Sequence, residues 1–171
     1  MGQLDFKWDA VQYLFFIFPQ RVFGLRELSR LSKTPKSSLQ RKLKLLIKQE
    51  LVKKVKEGYV ANETGFWYRF QKRNYLLTEV YESGLVNYLE KLTFAQVMIL
   101  FGSGAKGEYV QKSDLDIFLL AKEKPLNLRI FEKKLKRKIN LLFKENFHQL
   151  SPELFNNILN GYKLSGYIKL K

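Results

Sequence analysis

Two carboxylates two residues apart interrupt an otherwise apolar run in Ser113-Asp114-Leu115-Asp116-Ile117-Phe118-Leu119-Leu120. Buried strands rarely tolerate carboxylates unless a cation compensates them. Residues two apart on a strand share a face, so Asp114 and Asp116 converge on one point while Leu115 enters the core. Such a pair can hold Mg²⁺, which accepts a few protein oxygens and takes the rest from water and phosphate. Upstream, Val97-Met98-Ile99-Leu100-Phe101 is a second apolar run that breaks at Gly102-Ser103. Gly102 supplies a turn that can approach a phosphate closely. Ser103 adds a hydroxyl and an amide at a helix start, where the dipole favours anions. Lys106 can add charge for a phosphate tail. These residue types together point to metal-assisted handling of a phosphorylated ligand.

Composition excludes the main competing chemistries. The 171 residues contain no cysteine and one histidine, His148. A disulfide, thiolate nucleophile, zinc knuckle or iron–sulfur site is therefore ruled out, and a His-based metal cage lacks parts. The chain is 46% hydrophobic with four prolines, enough for a core, and its length allows one ordinary domain or two small ones. No apolar stretch reaches the roughly 18 to 20 residues that cross a membrane. The longest, Tyr13 to Phe18, stops at Pro19 and lacks the flanks of a signal peptide, so a soluble cytoplasmic protein with no membrane partner is expected. The net charge of +15 predicts a polyanionic partner. Both halves share it: residues 1–92 hold 17 Lys and Arg against nine Asp and Glu, and residues 93–171 hold 14 against seven.

Gly102-Ser103, then residues 104–113, then Asp114-Leu115-Asp116 resembles the minimal nucleotidyltransferase family of the DNA polymerase β-like superfamily, whose signature is Gly-Ser, ten residues and Asp-x-Asp. The Gly-Ser-x-Ala-x-Gly and Ser-Asp-x-Asp-Ile surroundings match as well, and the resemblance runs from about Ala95 to the C-terminus. It implies a mixed sheet flanked by helices, Mg²⁺ (or Mn²⁺) on Asp114 and Asp116, and an NTP, with ATP the expected one. Gly102, Ser103 and Lys106 would seat its phosphates. The implied reaction is transfer of a nucleoside monophosphate to an acceptor, and small antitoxin members suggest a toxin as partner protein. Ser151 to Leu159 and Tyr162 to Gly166 look like the closing helix and strand.

One position departs from the pattern. A third carboxylate usually sits on a later apolar strand, and the matching stretch, Lys138-Ile139-Asn140-Leu141-Leu142-Phe143, places Asn140 there. An amide cannot accept a proton at neutral pH, and losing a general base typically costs about 10²–10⁴ in rate. Glu145 is an alternative in poor register. Glu132 reads as a helix-face residue paired with Lys136. The run Lys133-Lys134-x-Lys136-Arg137-Lys138 reads as the solvated face of a helix starting near Leu126, or as a guide for a polyanionic acceptor. His148 reads as a surface residue.

The N-terminal part has a different pattern. Helices are expected over residues 8–18, capped by Asp9, over Leu25–Ser32, and from Ser37 or Ser38 to Gln49 with Leu39, Leu43, Leu46 and Ile47 inward. Strands are expected at Leu51–Lys56 and Phe66–Phe70, joined by a turn over Gly58–Gly65. Two helices with a short turn between them and a basic hairpin behind resemble the winged helix-turn-helix regulators of bacteria and archaea over about residues 8–72. The resemblance implies double-stranded DNA binding and a homodimer. The contacts expected are Ser37, Ser38, Gln40, Arg41, Lys42 and Lys44 on the second helix and Lys53 and Lys54 on the wing. Trp8 and Trp67 read as core or domain-contact residues.

The expectation is an α+β chain: a winged helix-turn-helix over residues 1–73, a connecting helix over 74–92, and a nucleotidyltransferase-type domain over 93–171. Its alternative to transfer is a regulator or antitoxin-like protein whose transferase domain is catalytically degenerate at Asn140.

Overall fold

The computed structural model describes residues 9–169, so the expectation for Trp8 lies outside the described residues. The chain divides into two units, residues 1–72 and 73–171.

The first unit holds α1 (Ala10–Ile17), α2 (Leu25–Ser32), α3 (Lys36–Lys48), β1 (Val52–Val55), β2 (Gly58–Ala61) and the opening turns of α4 (Phe66–Glu82). Asp9 caps α1, its Oδ1 accepting from the Val11 amide at 2.7 Å. α2 ends where Lys33 turns left-handed at φ 52°. α3 starts after Pro35, so Ser37 and Ser38 lie within its first turn and not at its cap, as expected from their residue type. Leu39 and Leu43 are buried, as are Phe15, Phe23, Leu28 and Leu51, whereas Ile47 is 37% exposed and lies off the buried face. The hairpin is tighter than expected: β1 and β2 pair antiparallel from Val52–Ala61 to Val55–Gly58, leaving a two-residue turn. Phe23 bridges Tyr59 at its outer edge.

Phe66–Phe70 is the start of α4 and not a returning strand. Its aromatic composition favours strands, but β2 has already closed the hairpin. Tyr68 enters the core at 1% exposure and donates its hydroxyl to the Phe15 carbonyl at 2.7 Å. Trp67, expected in the core or at a domain contact, is not in the core: it is 51% exposed and packs edge-on against Phe66 and Phe70.

The second unit contains the rest of α4, then α5 (Leu85–Thr93), β3 (Val97–Phe101), α6 (Gly102–Lys106), β4 (Leu115–Leu120), α7 (Arg129–Leu135), β5 (Ile139–Lys144), α8 (Pro152–Leu159) and β6 (Tyr162–Gly166). The single connecting helix expected over residues 74–92 is broken. Gly84 takes φ +84°, and Ser83 Oγ accepts from the Leu85 amide at 3.1 Å to start α5.

The four strands run in the order β5-β4-β3-β6, with β4 and β5 parallel and the other pairs antiparallel. Alternation along the strands feeds two cores. Met98, Leu100, Leu115, Ile117 and Leu119 pack with Leu76, Val80, Leu85 and Leu89 of α4 and α5. Val97, Ile99, Phe118 and Leu120 pack with Ile158 of α8. Coverage of both faces explains why β3 and β4 are near-continuous apolar runs. No helix among the described residues is long and apolar enough to cross a membrane.

Candidate functional site

The site is built where β3 turns into α6, beside the first residues of β4 and β5. Phe101 pairs with Asp116 across β3 and β4, so the following residue, Gly102, lies against the aspartate. Gly102 has φ +68°, a backbone that side chains rarely adopt, and a Cβ there would stand 3.0 Å from Asp116 Oδ2. The backbone angle favours glycine, and a methyl there would push Asp116 by a few tenths of an ångström. Two residues on, a Cβ at Gly104 would meet Leu76 Cδ2 at 3.1 Å and Leu100 Cδ1 at 3.4 Å, so α6 packs closely on the core. Gly107, at φ +71°, ends the helix. Ser103 is half-buried at the start of α6, and Lys106 is exposed at its end.

Asp114 is exposed just before β4, and Asp116 is half-buried as its second residue. Leu115 and Ile117 on either side of Asp116 are fully buried. β5 runs parallel to β4 with Asn140 directly opposite Asp116. Asn140 Nδ2 donates to Asp116 Oδ1 at 3.0 Å and to Asp114 Oδ2 at 3.3 Å. One amide nitrogen therefore reaches both carboxylates, and the two anions converge on one small volume. Their donor set is oxygen only, which suits a hard divalent cation. Among the described residues no group of three or more His, Cys, Asp or Glu side chains gathers to hold a metal ion.

Glu145 does not supply the third carboxylate. It follows β5 at the end opposite Asn140, five residues or roughly 16 Å along an extended strand, where its amide donates to Gln149 Oε1 at 3.0 Å. It lines a groove there with Leu120, Phe147, Phe155 and the exposed His148. Glu132 does not pair with Lys136. Its Oε1 accepts from the Ile139 amide at 3.1 Å, while Lys136 turns left-handed at φ 52° to end α7.

In the basic run Lys133, Lys134, Lys136 and Lys138 are exposed as expected, and Arg137 is the departure. Arg137 is buried at 8% exposure, and its Nη1 donates to the Val110 and Ser113 carbonyls at 2.8 and 3.0 Å. Lys134 reaches the Ser83 carbonyl at 3.1 Å. Charge and periodicity could not separate this arginine from its lysine neighbours. Near it, burial pushes the Glu79 carboxyl above the usual carboxylate range, opposed by the hydrogen bond from the Tyr75 hydroxyl and by the Arg137 charge.

In the first unit, Ser37, Gln40, Arg41 and Lys44 are exposed on α3, Ser38 is half-buried, and Lys53 and Lys54 are exposed on β1. Lys42 differs from them because it forms an ion pair with Asp9, the cap of α1.

A family model described as polymerase beta, nucleotidyltransferase, matches residues 84–164. The match begins at the break before α5, earlier than the resemblance near Ala95, and takes in the helix whose Leu85, Val86 and Leu89 pack under the sheet. It supports a nucleotidyltransferase domain and a transferase-type activity for this part of the chain. No curated protein matches the chain, and no solved structure does.

Proposed function

We propose that the second unit binds a divalent metal–nucleoside triphosphate and transfers its nucleoside monophosphate to an acceptor, while the first unit, a winged helix-turn-helix, binds double-stranded DNA. The observation that carries the reading is the convergence of Asp114 and Asp116 beside the Gly102 turn, on the segment matched by the nucleotidyltransferase model. Asp114 and Asp116 would hold Mg²⁺ (or Mn²⁺). Bound there, the cation supplies neutralisation of phosphate charge and polarisation of the phosphorus centre. Gly102 leaves the corner open to a phosphate, and Ser103 offers it a hydroxyl and an amide. Positioning and charge neutralisation supply most of the acceleration in such transfers. An acceptor hydroxyl oxygen would bond to the α-phosphorus as the bond to pyrophosphate breaks, and its proton would pass to solvent water, since the Asn140 amide is no base.

Asn140 also favours a second reading, a DNA-binding regulator or antitoxin-like protein that binds nucleotide without turning it over. In this reading a toxin partner or a second copy of the chain would receive the signal. The deciding experiment is transfer of label from α-labelled ATP with Mg²⁺ or Mn²⁺, offering RNA, DNA and co-purified proteins as acceptors. Protein carrying both Asp114→Asn and Asp116→Asn is the control, and ATP binding is measured alongside by calorimetry. Label dependent on the aspartates establishes transfer and identifies the acceptor. ATP bound without label favours the regulator. ATP bound equally by the double variant removes the site assignment.

A further inference from the structure

The loop that delivers Asp114 is held by a side chain outside the phosphate corner. Residues 110–113 form a turn in which the Ser113 amide donates to the Val110 carbonyl at 3.0 Å. The Val110 amide donates back to Ser113 Oγ at 2.9 Å. The two carbonyls at the ends of this turn both accept from Arg137 Nη1. The guanidinium also lies 4.6 Å from the centroid of the Tyr109 ring, which is 1% exposed. A buried cation persists only where its donors are met. The planar fork of arginine, always charged and able to stack on an aromatic ring, meets these acceptors as a lysine ammonium cannot.

Asp114 follows the Ser113 carbonyl directly. On its other side, the Leu115 amide donates to the Lys138 carbonyl at 2.9 Å. Asp114 is thus suspended between two backbone anchors made by consecutive residues, Arg137 and Lys138. Asn140, from the same segment, then reaches its carboxylate. The Glu132 carboxylate ties this segment to α7 through the Ile139 amide.

We infer that Arg137 is a positioning residue for Asp114: by fixing the carbonyl just before it, Arg137 sets the separation of the two carboxylates that a divalent cation would join. The inference rests on the proposed role of Asp114 and Asp116 as cation ligands, and Arg137 acts through the backbone without touching the ligand. An arginine that only stabilised the fold would make a different prediction, because its loss would lower stability without moving Asp114 relative to Asn140.

The test uses ¹⁵N-labelled full-length protein with Arg137→Met, Arg137→Lys and, as a destabilised control, Leu89→Ala in the core under the sheet. The metal-free readout is the side-chain amide resonance pair of Asn140, identified by its loss in Asn140→Asp. The second readout is Mn²⁺ affinity from the paramagnetic resonance of free Mn²⁺. Arg137→Met is expected to shift the Asn140 pair and weaken Mn²⁺ binding by about tenfold or more, the usual scale for residues that orient metal ligands. Arg137→Lys falls between, and Leu89→Ala melts lower while keeping both signals. An unmoved Asn140 pair in Arg137→Met, or equal changes in Leu89→Ala, overturns the inference. If Arg137→Met does not fold, Arg137→Lys decides by the same signals. Wild-type protein that binds no Mn²⁺, with the Asn140 shift still present in the variants, removes the cation reading and leaves the hold of Arg137 on Asp114 standing.

Discussion

Asn140 faces Asp116 across the parallel pairing of β5 with β4 and donates its side-chain amide to both Asp116 and Asp114. A carboxylate in the same place would add a third negative charge to two that already converge. The amide instead offers donors to both anions and so lowers the cost of keeping them together without a cation. What it gives up is proton acceptance. Between proton acceptance and support of the carboxylate pair, an asparagine here supplies the second, and the pair it braces needs a cation less.

Asn140→Asp should reverse that trade. Without divalent metal the variant is expected to melt below the wild type, because three carboxylates repel one another. Mg²⁺ should then raise its melting temperature by more than it raises that of the wild type. If a general base limits transfer, label transfer rises by about 10²–10⁴. Calorimetric melts with and without Mg²⁺ check the first part, and an unchanged metal-free melting temperature contradicts the repulsion argument.

Gly102→Ala tests the corner itself. The left-handed backbone at φ +68° costs a side-chain residue about 1–2 kcal/mol, and the new methyl would press on Asp116 Oδ2. Urea unfolding should report the loss in stability. At a temperature where the variant stays folded, Mg²⁺-dependent ATP affinity should still fall at least about tenfold, since a carboxylate displaced by a few tenths of an ångström orients its ligand poorly. Normal affinity in a folded, destabilised variant would show that Asp116 does not need this corner.

The parity of Asp114 and Asp116 and the break at Gly102 were legible in the sequence because each rests on strand period or on a residue type with one physical use, whereas Asn140 was singled out only through the family resemblance. What escaped depends on contacts distant in sequence. Phe66–Phe70 has strand composition, and only the short hairpin before it and the socket for Tyr68 make it helical. The break at Ser83-Gly84 is carried by one glycine inside a helical pattern. Lys42 and Arg137 both lie in basic runs, yet one pairs with Asp9 and the other is sealed under the Asp114 loop. Local charge carries no record of a partner more than twenty residues away.

Glu79→Gln gives a pH-dependent test of the second unit. Burial raises the Glu79 carboxyl above its ordinary value, so the folded state holds the proton more tightly than the unfolded chain. Stability then falls as pH rises between the ordinary and the raised value, and the deficit persists at neutral pH. Glutamine carries no charge and can still accept from the Tyr75 hydroxyl, now 2.6 Å from Oε1. The variant should melt above the wild type at pH 7.5 and lose that advantage at pH 4. An equal difference at the two pH values would mean that burial of charge is not what Glu79 costs the fold.

The DNA-binding proposal is tested most sharply by the one lysine that should not matter. Arg41, Lys44, Lys53 and Lys54 are exposed on α3 and β1, whereas Lys42 is engaged with Asp9 at the start of α1. Each phosphate contact contributes about 0.9 to the slope of log affinity against log salt. Replacing the four exposed cations with alanine should flatten the slope by about that amount for each contact they make, and weaken binding similarly across duplex sequences. Lys42→Ala should leave the slope unchanged and lower stability by less than about 1 kcal/mol, the range of an exposed ion pair. Fluorescence anisotropy of a labelled duplex over a salt series separates the two variants. If the fourfold variant keeps the wild-type slope, the duplex does not lie on α3 and β1. If Lys42→Ala flattens it, the Asp9 pair opens on binding and Lys42 joins the contact surface.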